Sequence, residues 1–208
     1  MSAFEFFFSF YGLLLGLCVA ELVGGFARIL HERKRVQFGW LTPALALFVA
    51  IDIATFWNQA WIIFRGAPFN TFLLIVGLAI AATFYIAASV TFPRPSDDGT
   101  ETIDLDQHFW QHRRVVFTCI MAANLIVAVL LILLSQGNSE FARITASWRL
   151  WIGTAIFVGC TATAAFVPQR NIVVGALAVV LLYSLWGMAN SAALLVRAGG
   201  WAPALGLN

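Results

Sequence analysis

The chain has 208 residues, 61% of them hydrophobic and 11% charged, and a formal net charge of +2. A soluble domain carries about 25% charged residues, so one water-exposed globular domain of this length is excluded. The small net charge gives no nucleic-acid footprint. Eleven of the twelve basic residues are Arg, with Lys34 the single lysine.

The reading is an all-α, polytopic transmembrane helix bundle of six spans with no soluble domain. A span needs about 20 apolar residues. Stretch 6–27 is interrupted only by Glu21 and stretch 36–64 only by Asp52, whereas 66–93, 115–139, 150–169 and 171–196 carry no charge. The spans are placed at approximately 5–28, 41–64, 69–92, 114–135, 148–167 and 171–196 of one domain covering 1–208. The start, Met1 to Glu5, lacks a basic n-region, so no cleavable signal peptide is expected.

In chain order, the first span carries small residues at a spacing of four: Gly12, Gly16, Ala20 and Gly24, with Gly25 alongside. Such a face lets another helix approach closely, either in the chain or in another protomer. The second opens with Thr42-Pro43, read as a cap and a first helical residue. Pro43, Pro68, Pro93, Pro95, Pro168 and Pro203 all fall at or near span ends, so unbroken helices are expected. That counts against transporter folds built on discontinuous helices.

Stretch 94–113 is the longest connection, read as a cytoplasmic loop with a juxtamembrane helix. It holds Asp97, Asp98, Glu101, Asp104 and Asp106, then Arg113 and Arg114. Asp104 and Gln107 have capping-box spacing, so the fourth helix is expected to start there. Asp104, His108 and His112 share a helical face, a spacing that suits a transition metal, with His31 the only further candidate ligand. Incidental juxtamembrane histidines are the plainer reading. Stretch 135–147 reads as a short polar loop. A likeness between 77–94 and 153–170 is no stronger than two Ala/Ile-rich spans give by chance.

Loop cations set the orientation. Arg28, Arg33, Lys34, Arg35, Arg94, Arg113, Arg114 and Arg170 gather on one side, against Arg65, Arg143, Arg149 and Arg197 on the other. The larger group is assigned to the cytoplasm of a cell membrane, read as a bacterial inner membrane, with both termini outside. Trp40 and Trp110 then mark the inner boundary, Trp57, Trp61, Trp148, Trp151 and Trp201 the outer one, and Trp186 lies deeper. Cys18, Cys119 and Cys160 lie in apolar stretches and read as small buried hydrophobes rather than a disulfide framework.

Chemistry is sought first at the intramembrane acids. A charge at the bilayer centre costs about 2.5–3.5 kcal/mol and commonly marks a pathway. At about 1.5 Å per residue, Asp52 lies about 18 Å from Trp40, close to the midplane. Glu21 lies about 10 Å from Arg28, which also stands ready to neutralise it. Asp52, Thr55 and Gln59 share one stripe. The same arithmetic brings Tyr85, Asn124 and Thr161 near the level of Asp52, with Tyr183 and Ser184 slightly outward and Asn190 and Ser191 nearer the outer face. Their convergence would line a polar track; ordinary interhelical hydrogen bonding is the plainer alternative.

The functional expectation is a small ion- or proton-handling channel or transporter, a homo-oligomer in the bilayer. Asp52 and Glu21 are its binding carboxylates, and Thr55, Gln59, Tyr85, Asn124, Thr161 and Ser184 line its path. The alternative is a non-catalytic scaffold or accessory subunit of a larger membrane complex. A third reading is an enzyme or metal-dependent sensor using Asp104, His108 and His112. No span contains His or Lys, so neither a haem held by histidines across the bilayer nor a retinal Schiff base is expected. No phosphate-binding glycine loop, nucleophile elbow or zinc-protease helix appears either, which lowers the case for an enzyme.

Overall fold

The structure, a computed structural model, describes residues 3–66, 70–94 and 102–197. Pro68, Pro95, Asp97, Asp98, Glu101, Trp201 and Pro203 lie outside the described residues. Seven helices follow in order: α1 (Ala3–His31), α2 (Leu41–Gly66), α3 (Thr71–Thr91), α4 (Leu105–Ser135), α5 (Ser139–Thr145), α6 (Trp148–Phe166) and α7 (Arg170–Arg197). Six of them, all but α5, are long and apolar enough to cross a membrane. Among the described residues no proline lies in a helix interior; Pro43 sits in the first turn of α2, where its missing N–H costs nothing.

Local side chains set several helix starts. Asn70 Oδ1 accepts from Leu73 N at 2.8 Å and opens α3. Asp104 Oδ1 accepts from Asp106 N and Gln107 N at 2.9 and 3.1 Å, so α4 begins where the capping spacing indicates. The reading of Thr42 as a cap is corrected. The α2 helix begins at Leu41, two residues before Pro43, and Leu41 N donates to Asp106 Oδ1 of α4 at 3.3 Å. Thr42 is buried and its hydroxyl donates to Leu105 O at 2.6 Å. A carboxylate from another helix thus does the capping, which no local pattern reveals. Stretch 135–147 is also more ordered than a polar loop. Asn138 accepts from Glu140 N at 2.8 Å and starts α5, whose Phe141 is buried.

A two-residue parallel ladder, β1 (Val36–Gln37) on β2 (Ile103–Asp104), joins the segment after α1 to the segment before α4. Gly39 lies so close to Asp106 that a Cβ there would collide with the carboxylate.

The α4 helix is central, packed by α2, α3 and α6, and Phe109, Phe117, Ile120 and Ala123 on it are fully buried. The α1 helix packs on α2 and α3. It turns Tyr11, Leu15, Cys18 and Leu22 inward. The Tyr11 hydroxyl donates to Leu74 O at 3.2 Å and occupies the space that a Cβ at Gly77 would need. The small-residue ladder is split: a Cβ at Gly12 would stand 3.1 Å from the Trp57 ring of α2, while the middle of the ladder turns outward. Gly16 and Ala20 are exposed, and a Cβ at Gly16 would meet nothing within 4 Å. A tighter approach on α1 occurs at Gly25, where a Cβ would stand 2.8 Å from the Phe92 ring.

Outside, the molecule is apolar. Leu13, Ile75, Val129, Leu182 and Val196 are each more than half exposed. Water would drive such a surface to associate, whereas hydrocarbon solvates it while each helix satisfies its own backbone. The fold is that of a multi-pass integral membrane protein.

Candidate functional site

Asp52 sits mid-way along α2 and is 6% exposed. Its Oδ2 accepts from Asn124 Nδ2 of α4 at 3.0 Å, and the same amide group donates to Ile120 O at 3.0 Å. Asn124 is thereby held by its own helix and aims one donor at the carboxyl group. The other carboxylate oxygen, Oδ1, has no protein donor among the described residues. A cavity of about 670 Å³ opens beside it, walled by α2, α4, α6 and α7.

The cavity runs from Asp52 toward the end of the bundle where α2 and α4 finish and α6 begins. Thr55, Asn58 and Gln59 on α2 form one wall, and Ser184 and Ser191 on α7 form another. The Thr55 and Ser184 hydroxyls donate to Ile51 O and Val180 O, so their lone pairs remain available to an occupant. Rings from Trp151, Phe157, Tyr183 and Trp186 complete the lining, and Arg149 lies at the exposed start of α6.

In the other direction the path is closed. The Phe48 ring packs between Phe117 and Phe157, at centroid distances of 5.6 and 5.8 Å. Phe48 and Phe117 are 1% and 0% exposed. Beyond them Leu41, Leu45 and Phe109 are fully buried. On this side the cavity ends at the aromatic cluster.

Asp52, Thr55, Gln59, Asn124 and Ser184 therefore come together. The others on the expected path do not. Thr161 is fully buried, and its hydroxyl donates to Phe157 O and Val158 O of its own helix. Tyr85 is 45% exposed on α3, on the outside of the bundle. Both have the expected depth, but depth along a helix says nothing of the direction a side chain takes around it. Glu21 lies away from the cavity, paired with Arg28 at 3.3 Å and approached by Arg94 at 4.0 Å. It is neutralised locally rather than placed as a second binding carboxylate.

The metal reading is corrected. Among the described residues no three His, Cys, Asp or Glu side chains gather to hold a metal ion. Asp104 is committed to its cap. His108 Nε2 is 3.0 Å from Val90 O, and the His112 ring stacks on His108 at 4.2 Å with Nδ1 directed to His108 O.

Arg113 is the residue whose role the sequence conceals. Counted above among loop cations, it is 4% exposed, which leaves seven on that side against four. Its Nη1 donates to Ala164 O and its Nη2 to Val167 O at 2.8 Å, and the guanidinium lies 4.6 Å over the Trp110 ring. A cation there satisfies end carbonyls of α6 and meets the negative end of its dipole. Its signal was the capping at Asp104, which adds more than two turns to α4 and carries Arg113 inside.

No protein-family model, curated protein or solved structure matches the chain, so no activity is carried over from a relative.

Proposed function

We propose that the chain is a small membrane transporter that admits a cation or proton to Asp52 through the cavity beside it. The observation that carries this is a buried carboxyl group with one oxygen held by Asn124 and the other turned to a cavity of about 670 Å³. Placing an acid at membrane depth costs free energy, and nothing in the packing of α2 against α4 requires an acid rather than an amide. The closed floor of Phe48, Phe117 and Phe157 favours alternating access over a continuous pore. The cation bias of the loops supports a cavity that opens toward the non-cytoplasmic face.

Flux in proteoliposomes tests this. Asp52→Asn preserves shape and the Asn124 contact region, and is expected to reduce cation-coupled flux at least tenfold. Unchanged flux removes Asp52 from any transport mechanism.

A second reading, an accessory subunit of a larger complex, is favoured by the small-residue face that α1 turns outward at Gly16 and Ala20. Co-purification of a stoichiometric partner in mild detergent supports it, and a lone stable oligomer counts against it.

A further inference from the structure

We infer that the species received at Asp52 is a lipophilic organic ammonium ion rather than a bare metal ion or a proton. The inference rests on the reading of Asp52 as the receiving group, and deepens it by naming the chemistry of the solute.

Size comes first. Ligand sites for organic molecules span about 300–1,000 Å³, whereas a water molecule occupies about 30 Å³ of liquid. At about 670 Å³ the cavity has room for a ring system with substituents, far beyond what one proton or one ion needs. A hard divalent cation such as Ca²⁺ takes about 6–8 oxygen ligands at contact distance. Here one carboxyl group stands alone, and among the described residues no second acidic side chain shares the cavity.

The lining then selects the class. Trp151, Phe157, Tyr183 and Trp186 border the cavity and provide both apolar contact and ring faces for an organic cation, where a bare ion would find few oxygen ligands. Tyr183 and Trp186 lie 6.4 Å apart on the α7 side. Asp52 Oδ1, without a protein donor, is an acceptor for an ammonium N–H, and the Thr55 and Ser184 oxygens are acceptors too. Near Asp52 the hydroxyl and carboxyl groups thus offer acceptors, while the Asn124 Nδ2 donor is already committed to Asp52 and Ile120. Arg149 carries the opposite charge but stands about 6 Å of helix rise beyond Gly153, at the exposed end of the wall.

Titration calorimetry on the full chain in nanodiscs, with 1-naphthylmethylammonium and its neutral counterpart 1-naphthalenemethanol, decides the matter. The ammonium is expected to bind at least tenfold more tightly than the alcohol, and Asp52→Asn to remove that difference while leaving the alcohol within twofold. Gly187→Phe supplies an independent arm. Gly187 lines the cavity and a Cβ there meets no atom within 4 Å, so a side chain can be started at this position without a clash at its first carbon. It is expected to weaken ammonium binding at least tenfold. Equal binding of ammonium and alcohol, or ammonium binding untouched by both substitutions, overturns the inference. Loss of sodium or proton flux in Asp52→Asn but not in Gly187→Phe, with no ammonium binding, overturns it while sparing the transport proposal. Asp52-dependent ammonium binding without Asp52-dependent flux does the reverse.

Discussion

The two ends of this bundle are built on opposite lines. At the end holding the starts of α2, α4 and α7, every element is tied to another. Asp106 of α4 accepts from Leu41 N of α2 and pairs with Arg170 of α7 at 3.2 Å, and Arg113 of α4 grips the last carbonyls of α6. At the other end α7 leaves the bundle: Val173, Ala176, Leu177 and Val180 are buried, but no described side chain from 181 to 197 is. The cavity lies in the space so opened. The contrast teaches that tight packing and open space are separated along the bundle, with Asp52 at the border between them.

Substitutions sharpen this contrast by their cost in stability. Phe117→Ala, in the closed half, is expected to be the most damaging, at about 3–5 kcal/mol. It removes a ring with no exposure that contacts Phe48 and Phe109. Thermal unfolding in detergent reads the loss. Arg113→Met follows, at about 3 kcal/mol, because two charge-assisted hydrogen bonds go and the carbonyls of Ala164 and Val167 are left in an apolar setting. The same unfolding assay applies, and a wild-type transition would show that the clamp is dispensable. Gln59→Leu, on the cavity wall, is expected to change stability by less than about 0.5 kcal/mol, since no protein partner is lost. A cost comparable to that of Phe117→Ala would erase the distinction between the halves.

How far the sequence carries this architecture varies by element. The six apolar stretches map onto long helices because hydrocarbon imposes length and apolarity on each span separately. Asp52 stands out because it interrupts one of them. Asn124 is found from its depth alone, and Thr55, Gln59 and Ser184 also reach the cavity. Thr161 and Tyr85 satisfy the same depth criterion and fail, since the direction each takes around its helix axis depends on how α3 and α6 pack. Leu41 capped by Asp106 and α6 closed by Arg113 belong to the same class: both partners lie more than fifty positions apart in the chain. The small-residue ladder of α1 has the right spacing for close packing, yet Tyr11 and Cys18 on the opposite side win the contact with α3.

Access to the two halves can be measured directly with a membrane-impermeant thiol reagent. Single substitutions Asn58→Cys, Ser191→Cys and Thr161→Cys would be placed in a chain whose Cys18, Cys119 and Cys160 are replaced by Ala, in vesicles exposed to the reagent on one face at a time. Asn58→Cys and Ser191→Cys are expected to react from one and the same face, and Thr161→Cys, beneath the aromatic floor, from neither. Reaction of Thr161→Cys from the opposite face, or silence at both mouth positions, would contradict a cavity that is open above Asp52 and closed below it.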